Sequence, residues 1–109
     1  MKNETATYVF METTTDGLHG TWTRPGGADS VIVSDVEGPA AYWDNQVDGT
    51  VHLLLDFFNS DGYHPYVSTD VTSGTFTASD RTNFPIDLRH GSVLPIDQTA
   101  YDALGSAWT

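Results

Sequence analysis

Cysteine is absent from the 109 residues, which excludes disulfide staples, thiolate metal sites and a cysteine nucleophile together. Such a chain suits either redox compartment. Positive charge is nearly as scarce: Lys and Arg number four against fifteen Asp and Glu, for a formal charge of −11. A surface of that sign repels phosphate backbones and anionic lipid, so neither nucleic acid nor membrane is an expected partner. A neutral polar ligand or a cation is compatible with it. No apolar run approaches membrane-spanning length, and Met1-Lys2-Asn3-Glu4 does not open an apolar leader. Secreted and cytoplasmic locations both stay open. Twelve of the fifteen acids are Asp, many beside Gly, Asn or Ser, which is the chemistry of turns rather than of exposed helices.

What is present is a string of short apolar or aromatic runs. Segments 8–11, 31–33, 40–43, 51–55, 63–68, 74–78 and 92–96 are each of strand length. Asp16-Gly17, Pro25-Gly26-Gly27, Asp48-Gly49, Asp61-Gly62 and Ser73-Gly74 punctuate them as turns. Only 97–104 reads as helical, with Asp97 as its N-cap. Three Trp, five Tyr and five Phe supply a core, though a modest one at this length. This pattern predicts an all-β, antiparallel fold with a short C-terminal helix.

The runs also repeat. Thr15-Asp16 is followed by Gly20-Thr21-Trp22-Thr23, and Thr69-Asp70 by Gly74-Thr75-Phe76-Thr77. All six positions correspond at an offset of 54, with Phe replacing Trp as the one change. Glu37-Gly38 and His90-Gly91 form a second echo, 53 residues apart. A period near fifty with about four strands per unit is that of a β-propeller blade. About two blades fit in this length: 1–34 as the end of one, 35–80 as a full blade and 81–109 as the start of the last. Two blades cannot close a propeller. The expected partners are therefore the remaining blades of a larger protein, or further copies of this chain.

Glu37-Gly38-Pro39-Ala40-Ala41-Tyr42-Trp43 resembles the Glu-Gly-Pro segment of the glycoside hydrolase family 43 group, five-bladed β-propellers acting on arabinose- and xylose-containing glycans. Val51-His52-Leu53-Leu54-Leu55-Asp56 is similar to that group's next strand, and the stretch from Asp61-Gly62-Tyr63-His64 to Thr69-Asp70 to the segment after it. Arg89-His90-Gly91-Ser92-Val93-Leu94-Pro95-Ile96, with the helix beyond, resembles a C-terminal ending found in arabinofuranosidase-like and xylanase-like members. Order and spacing over residues 8–105 make the likeness more specific than any one motif.

The resemblance implies roles for several residues. Glu37 would be the general acid of an inverting glycosidase, which pairs a protonated carboxyl with a base carboxylate about 6.5–9.5 Å away. From the residues alone Glu37 is better read as an exposed turn carboxylate; the resemblance favours the acid. Arg89 would face substrate, or else pair with one of the abundant Asp residues. His90 would help hold a calcium ion in the intact propeller, or else be a satisfied core histidine; this chain alone is not expected to retain the ion. Trp43 and Tyr63 are candidate sugar platforms, with Tyr66 and Phe58 beside them, although aromatics at strand spacing more often pack between sheets. The family's base Asp and its pKa-modulating Asp have no matching residue here, so catalysis by the chain alone is not expected. A non-catalytic carbohydrate-binding or self-assembling module of the same blades is the alternative.

Overall fold

The computed structural model describes residues 1–3 and 5–108. Strands β1 (Lys2–Asn3), β2 (Tyr8–Val9) and β3 (Val33–Ser34) form a small antiparallel sheet in that order. Strands β4 (Glu37–Trp43), β5 (Val51–Phe57), β6 (Gly62–Ser68) and β7 (Thr77–Ala78) follow as a four-stranded antiparallel meander. Helix α1 (Gln98–Trp108) ends the described chain. Neither sheet closes on itself, and this mostly-β arrangement is consistent with part of a β-propeller. Among the described residues no helix is long and apolar enough to cross a membrane.

Strand β5 is the spine of the larger sheet. Its apolar run is covered on both faces, with Leu53, Leu54, Leu55 and Asp56 all buried. Leu53 and Leu55 point to one side, where they cluster with Val9 of β2 and with Val36. Ile32, Val33 and Phe76 pack onto that cluster. The two sheets thus share one apolar seam. Because side chains alternate along a strand, Leu54 and Asp56 face the other way.

The 54-residue repeat is repeated in hydrogen bonds as well as in letters. The Gly20 amide donates to the Gly17 carbonyl at 3.0 Å, and the Gly74 amide to the Val71 carbonyl at 3.1 Å. Thr23 pairs with Thr13 just as Thr77 pairs with Val67. Each threonine hydroxyl also donates to its partner's carbonyl at 3.4 Å. The aromatics diverge in environment: Phe76 joins the seam, while Trp22 is 43% exposed and donates its indole N–H to the Leu18 carbonyl.

Two expectations shift. Residues 92–96 join no ladder: Val93, Leu94 and Ile96 are exposed, and no strand lies alongside for them to pair with among the described residues. Their apolar alternation is therefore not spent on a sheet. The helix is as expected at its start, where the Asp97 carboxylate accepts the Ala100 amide at 2.8 Å, an N-cap bond to the third helical residue. It runs four residues further than the sequence pattern suggests, to Trp108.

Candidate functional site

Register places three side chains in one row across the sheet. Glu37 of β4 stands opposite Asp56 of β5, which stands opposite Tyr63 of β6. Residues directly opposite in an antiparallel pair share a face, so the row lies on the side away from the apolar seam. A register shift between Glu37 and Ala40 bends β4 at its start. Pro39 offers no N–H to the ladder there, and Gly38 adopts φ +51°. A side chain at Gly38 would also meet the His90 ring at 3.2 Å.

Residues 81–91 then cross this row and are fastened at each step. Arg81 pairs with the Asp61 carboxylate at 2.8 Å, and the Asp87 amide donates to the Asp61 carbonyl at 3.0 Å. The Tyr63 amide donates to the Leu88 carbonyl at 2.8 Å. Only glycine suits position 62: its φ is +85°, and a Cβ would fall 2.3 Å from that carbonyl oxygen. The Tyr63 hydroxyl closes the far end, donating to the Gly38 carbonyl at 2.9 Å and accepting the Gly91 amide at 2.8 Å. His90 itself is held at φ +47°, a left-handed conformation costing a non-glycine residue about 1–2 kcal/mol.

These fastenings deliver Arg89 and His90 onto the two acids. Arg89 Nε donates to Asp56 Oδ2 at 2.9 Å, and its terminal nitrogen lies 3.7 Å from Glu37 Oε1. His90 Nε2 lies 3.1 Å from both Asp56 Oδ2 and Glu37 Oε1. Asp56 is the floor, fully buried, while the Arg89 and His90 side chains are about half exposed, at 48% and 56%. Asp56 Oδ1 is buried without a hydrogen-bond partner. The result is a shallow, open-topped cluster of two carboxylates, a guanidinium and an imidazole, in which Glu37 is reachable from outside.

Of the residues singled out from the sequence, Glu37, Arg89 and His90 come together. Tyr63 joins them as a strut: the residue is only 3% exposed and its hydroxyl is engaged, so as placed it offers no open face for a sugar. Trp43 does not join them. It ends the same strand six residues on, about 20 Å away at roughly 3.3 Å per residue, and is 63% exposed. Asp56 was missed in the sequence, although one signal was there: a lone acid closing the apolar run of residues 51–55 needs a partner if it is buried.

As a calcium site the cluster is poor. Glu37, Asp56 and His90 each bring one donor atom within 4.8 Å of the others. Calcium takes six to eight oxygens; here one donor is nitrogen, and the Arg89 cation stands against both carboxylates. Calcium at millimolar concentration should leave the melting temperature of this chain unchanged, since a ligand that does not bind the native state does not stabilise it. A clear upward shift in differential scanning fluorimetry would disprove this.

The Asp61 latch titrates in a defined direction. Its carboxyl is held well below the usual range, first by the hydrogen bond from His64 at 2.7 Å and then by Arg81. A carboxyl whose pKa is depressed on folding contributes stability above its unfolded value of about 3.9, and loses it as pH falls through the folded value. Asp61→Asn should therefore melt earlier than the parent at pH 6, with the gap narrowing below about pH 4. A gap that is constant over that range would refute the latch.

Comparison with the curated proteins and with the solved structures found no match. A family model related to glycoside hydrolase family 43, described as a probable glycosyl hydrolase domain, matches residues 1–102. With nearly its whole length matched, the chain belongs to that glycosyl hydrolase family.

Proposed function

We propose that this chain carries the proton-donating half of an inverting glycosidase site for arabinose- or xylose-containing plant polysaccharide, with Glu37 as the general acid. The supporting observation is the convergence of Glu37, Arg89 and His90 over buried Asp56 from positions 53 residues apart in the chain. In this reading the protonated Glu37 carboxyl gives its proton to the glycosidic oxygen as the C–O bond breaks. Arg89 and His90 shape the site: both keep exposed surface and N–H donors with which to meet sugar hydroxyls. Water attacks the anomeric carbon from the opposite face and loses its proton to a base carboxylate.

Asp56 is not that base. Its carboxylate lies within 4.8 Å of the Glu37 carboxylate, too near to admit sugar and water at the about 6.5–9.5 Å of an inverting pair. It is also sealed beneath Arg89. The resemblance supports placing the base outside this chain, since no residue here matches the family's base Asp, so this chain by itself should show negligible turnover.

The test is hydrolysis of arabino- and xylo-oligosaccharides by the full protein. Glu37→Gln should abolish most of it, and the wild-type product should first appear with inverted anomeric configuration by proton NMR. Undiminished turnover in the variant removes Glu37 from the role, and a retained anomer removes the inverting mechanism.

A further inference from the structure

A second site lies at the other end of β4. A groove of about 560 Å³ opens there between the β4–β5 turn and residues 93–96, within the range of small-ligand sites. One wall is Trp43, 63% exposed, and the other is the apolar segment around Leu94 and Pro95. Asn45 and Gln46 contribute side-chain amides from the turn.

The groove is built rather than incidental. Asp44 Oδ1 accepts the Gln46 and Val47 amides at 2.7 and 2.9 Å, which fixes the turn that carries the two side-chain amides. Asp44 Oδ2 lies 2.8 Å from His52 Nε2. The His52 ring stacks in turn on Tyr42, centroids 5.1 Å apart and planes 22° apart. This chain of contacts ties the groove to the strands β4 and β5, the best-packed part of the molecule.

Its chemistry selects among ligand classes. Among the described residues no Lys or Arg lines it, and His52 is engaged by Asp44, so a phosphate or carboxylate group finds no counter-charge there. Asp44, the one carboxylate among the lining residues, has donors on both oxygens, so a metal cation finds no free anionic ligand there. What fits is neutral, with one apolar face for the indole and the Leu94 wall and an edge of hydroxyls for the amides of Asn45 and Gln46. A sugar ring has that anatomy.

From this we infer that the Trp43 groove is a carbohydrate-binding subsite, separate from the Glu37 cluster, which holds a neutral glycan chain of the kind cleaved there. The identity of the glycan rests on the function proposed above; the location of the site does not. Glu37 and Trp43 are six positions apart on one strand, about 20 Å at roughly 3.3 Å per residue. The groove would raise the local concentration of polymer without taking part in bond cleavage.

The experiment is titration of the full chain with xylohexaose and with arabinohexaose, read by tryptophan fluorescence and calorimetry. Trp43→Ala should weaken binding at least about tenfold, equivalent to about 1.4 kcal/mol. Trp108→Ala, which removes a more exposed indole at 86%, should leave binding unchanged. Circular dichroism confirms that each variant is folded. Absence of binding by the wild type, or equal binding by Trp43→Ala, overturns the proposal. So does a concentration-dependent dimer that Trp43→Ala dissolves and neither sugar displaces, because the groove would then be covered by a second copy. The two readings fail separately: hydrolysis unaffected by Glu37→Gln sinks the catalytic role, while Trp43-dependent binding would still stand.

Discussion

Glu37→Gln should lower turnover of an alkyl xyloside or a xylo-oligosaccharide by about 10²–10⁴-fold in the full protein, the range a positioned general acid contributes. The loss should shrink sharply for a nitrophenyl glycoside, whose leaving group departs without protonation. That contrast separates proton donation from simple collapse of the cluster. Glutamine keeps an oxygen that can face the His90 ring and the Arg89 guanidinium, so the loop of residues 81–91 should stay seated. Steady-state kinetics on the two leaving groups decide the matter. An equal loss on both would mean that Glu37 organises the site without donating a proton.

Leu55→Ala should cost about 2–5 kcal/mol, the range found for buried leucines. Leu55 is completely buried at the junction of the two sheets, against Val9, Val36 and Leu53. The apolar core of the described residues is thin, with eight buried hydrophobic residues, so little around Leu55 is available to refill the space. Against a typical total of about 5–15 kcal/mol, such a loss consumes much of the stability. The melting temperature should fall by about 10 °C or more. A fall of only a degree or two would mean that the sheets do not depend on their shared seam. The effect on the Glu37 cluster should be indirect, since Leu55 and Asp56 face opposite sides of β5.

Much of this was legible in the sequence because the strongest signals are local. The apolar run 51–55, bounded by Asp48-Gly49 and Asp61-Gly62, could hardly be other than a buried strand flanked by turns. Asp97 before Gln98 gave the helix start. The echo of Glu37-Gly38 in His90-Gly91 falls on two distant side chains that meet at 3.1 Å. Asp56 was legible only as an acid at the end of an apolar run; that it anchors Arg89 and His90 opposite Glu37 follows from the β4–β5 register and not from its neighbours in the chain. Tyr63 was read as a possible platform, since composition gives no hint that its hydroxyl bridges the backbones of residues 38 and 91. Residues 92–96 have the alternation of a strand, but a strand needs a neighbour, and a ladder partner is a non-local fact.

The kink in β4 has a further consequence. Strand β4 lies at the end of its sheet, and an edge of seven residues running from Glu37 to Trp43 is a template onto which other chains can add. The irregularity between Glu37 and Ala40 throws the first residues of that edge out of flat register, Pro39 fixes the backbone within it, and Glu37 adds a charge. A foreign strand would meet a broken ladder there. The distortion that aims a carboxyl at His90 thereby guards the molecule against fibril growth, so straightening it, for instance by Pro39→Val, would endanger solubility before it touched chemistry.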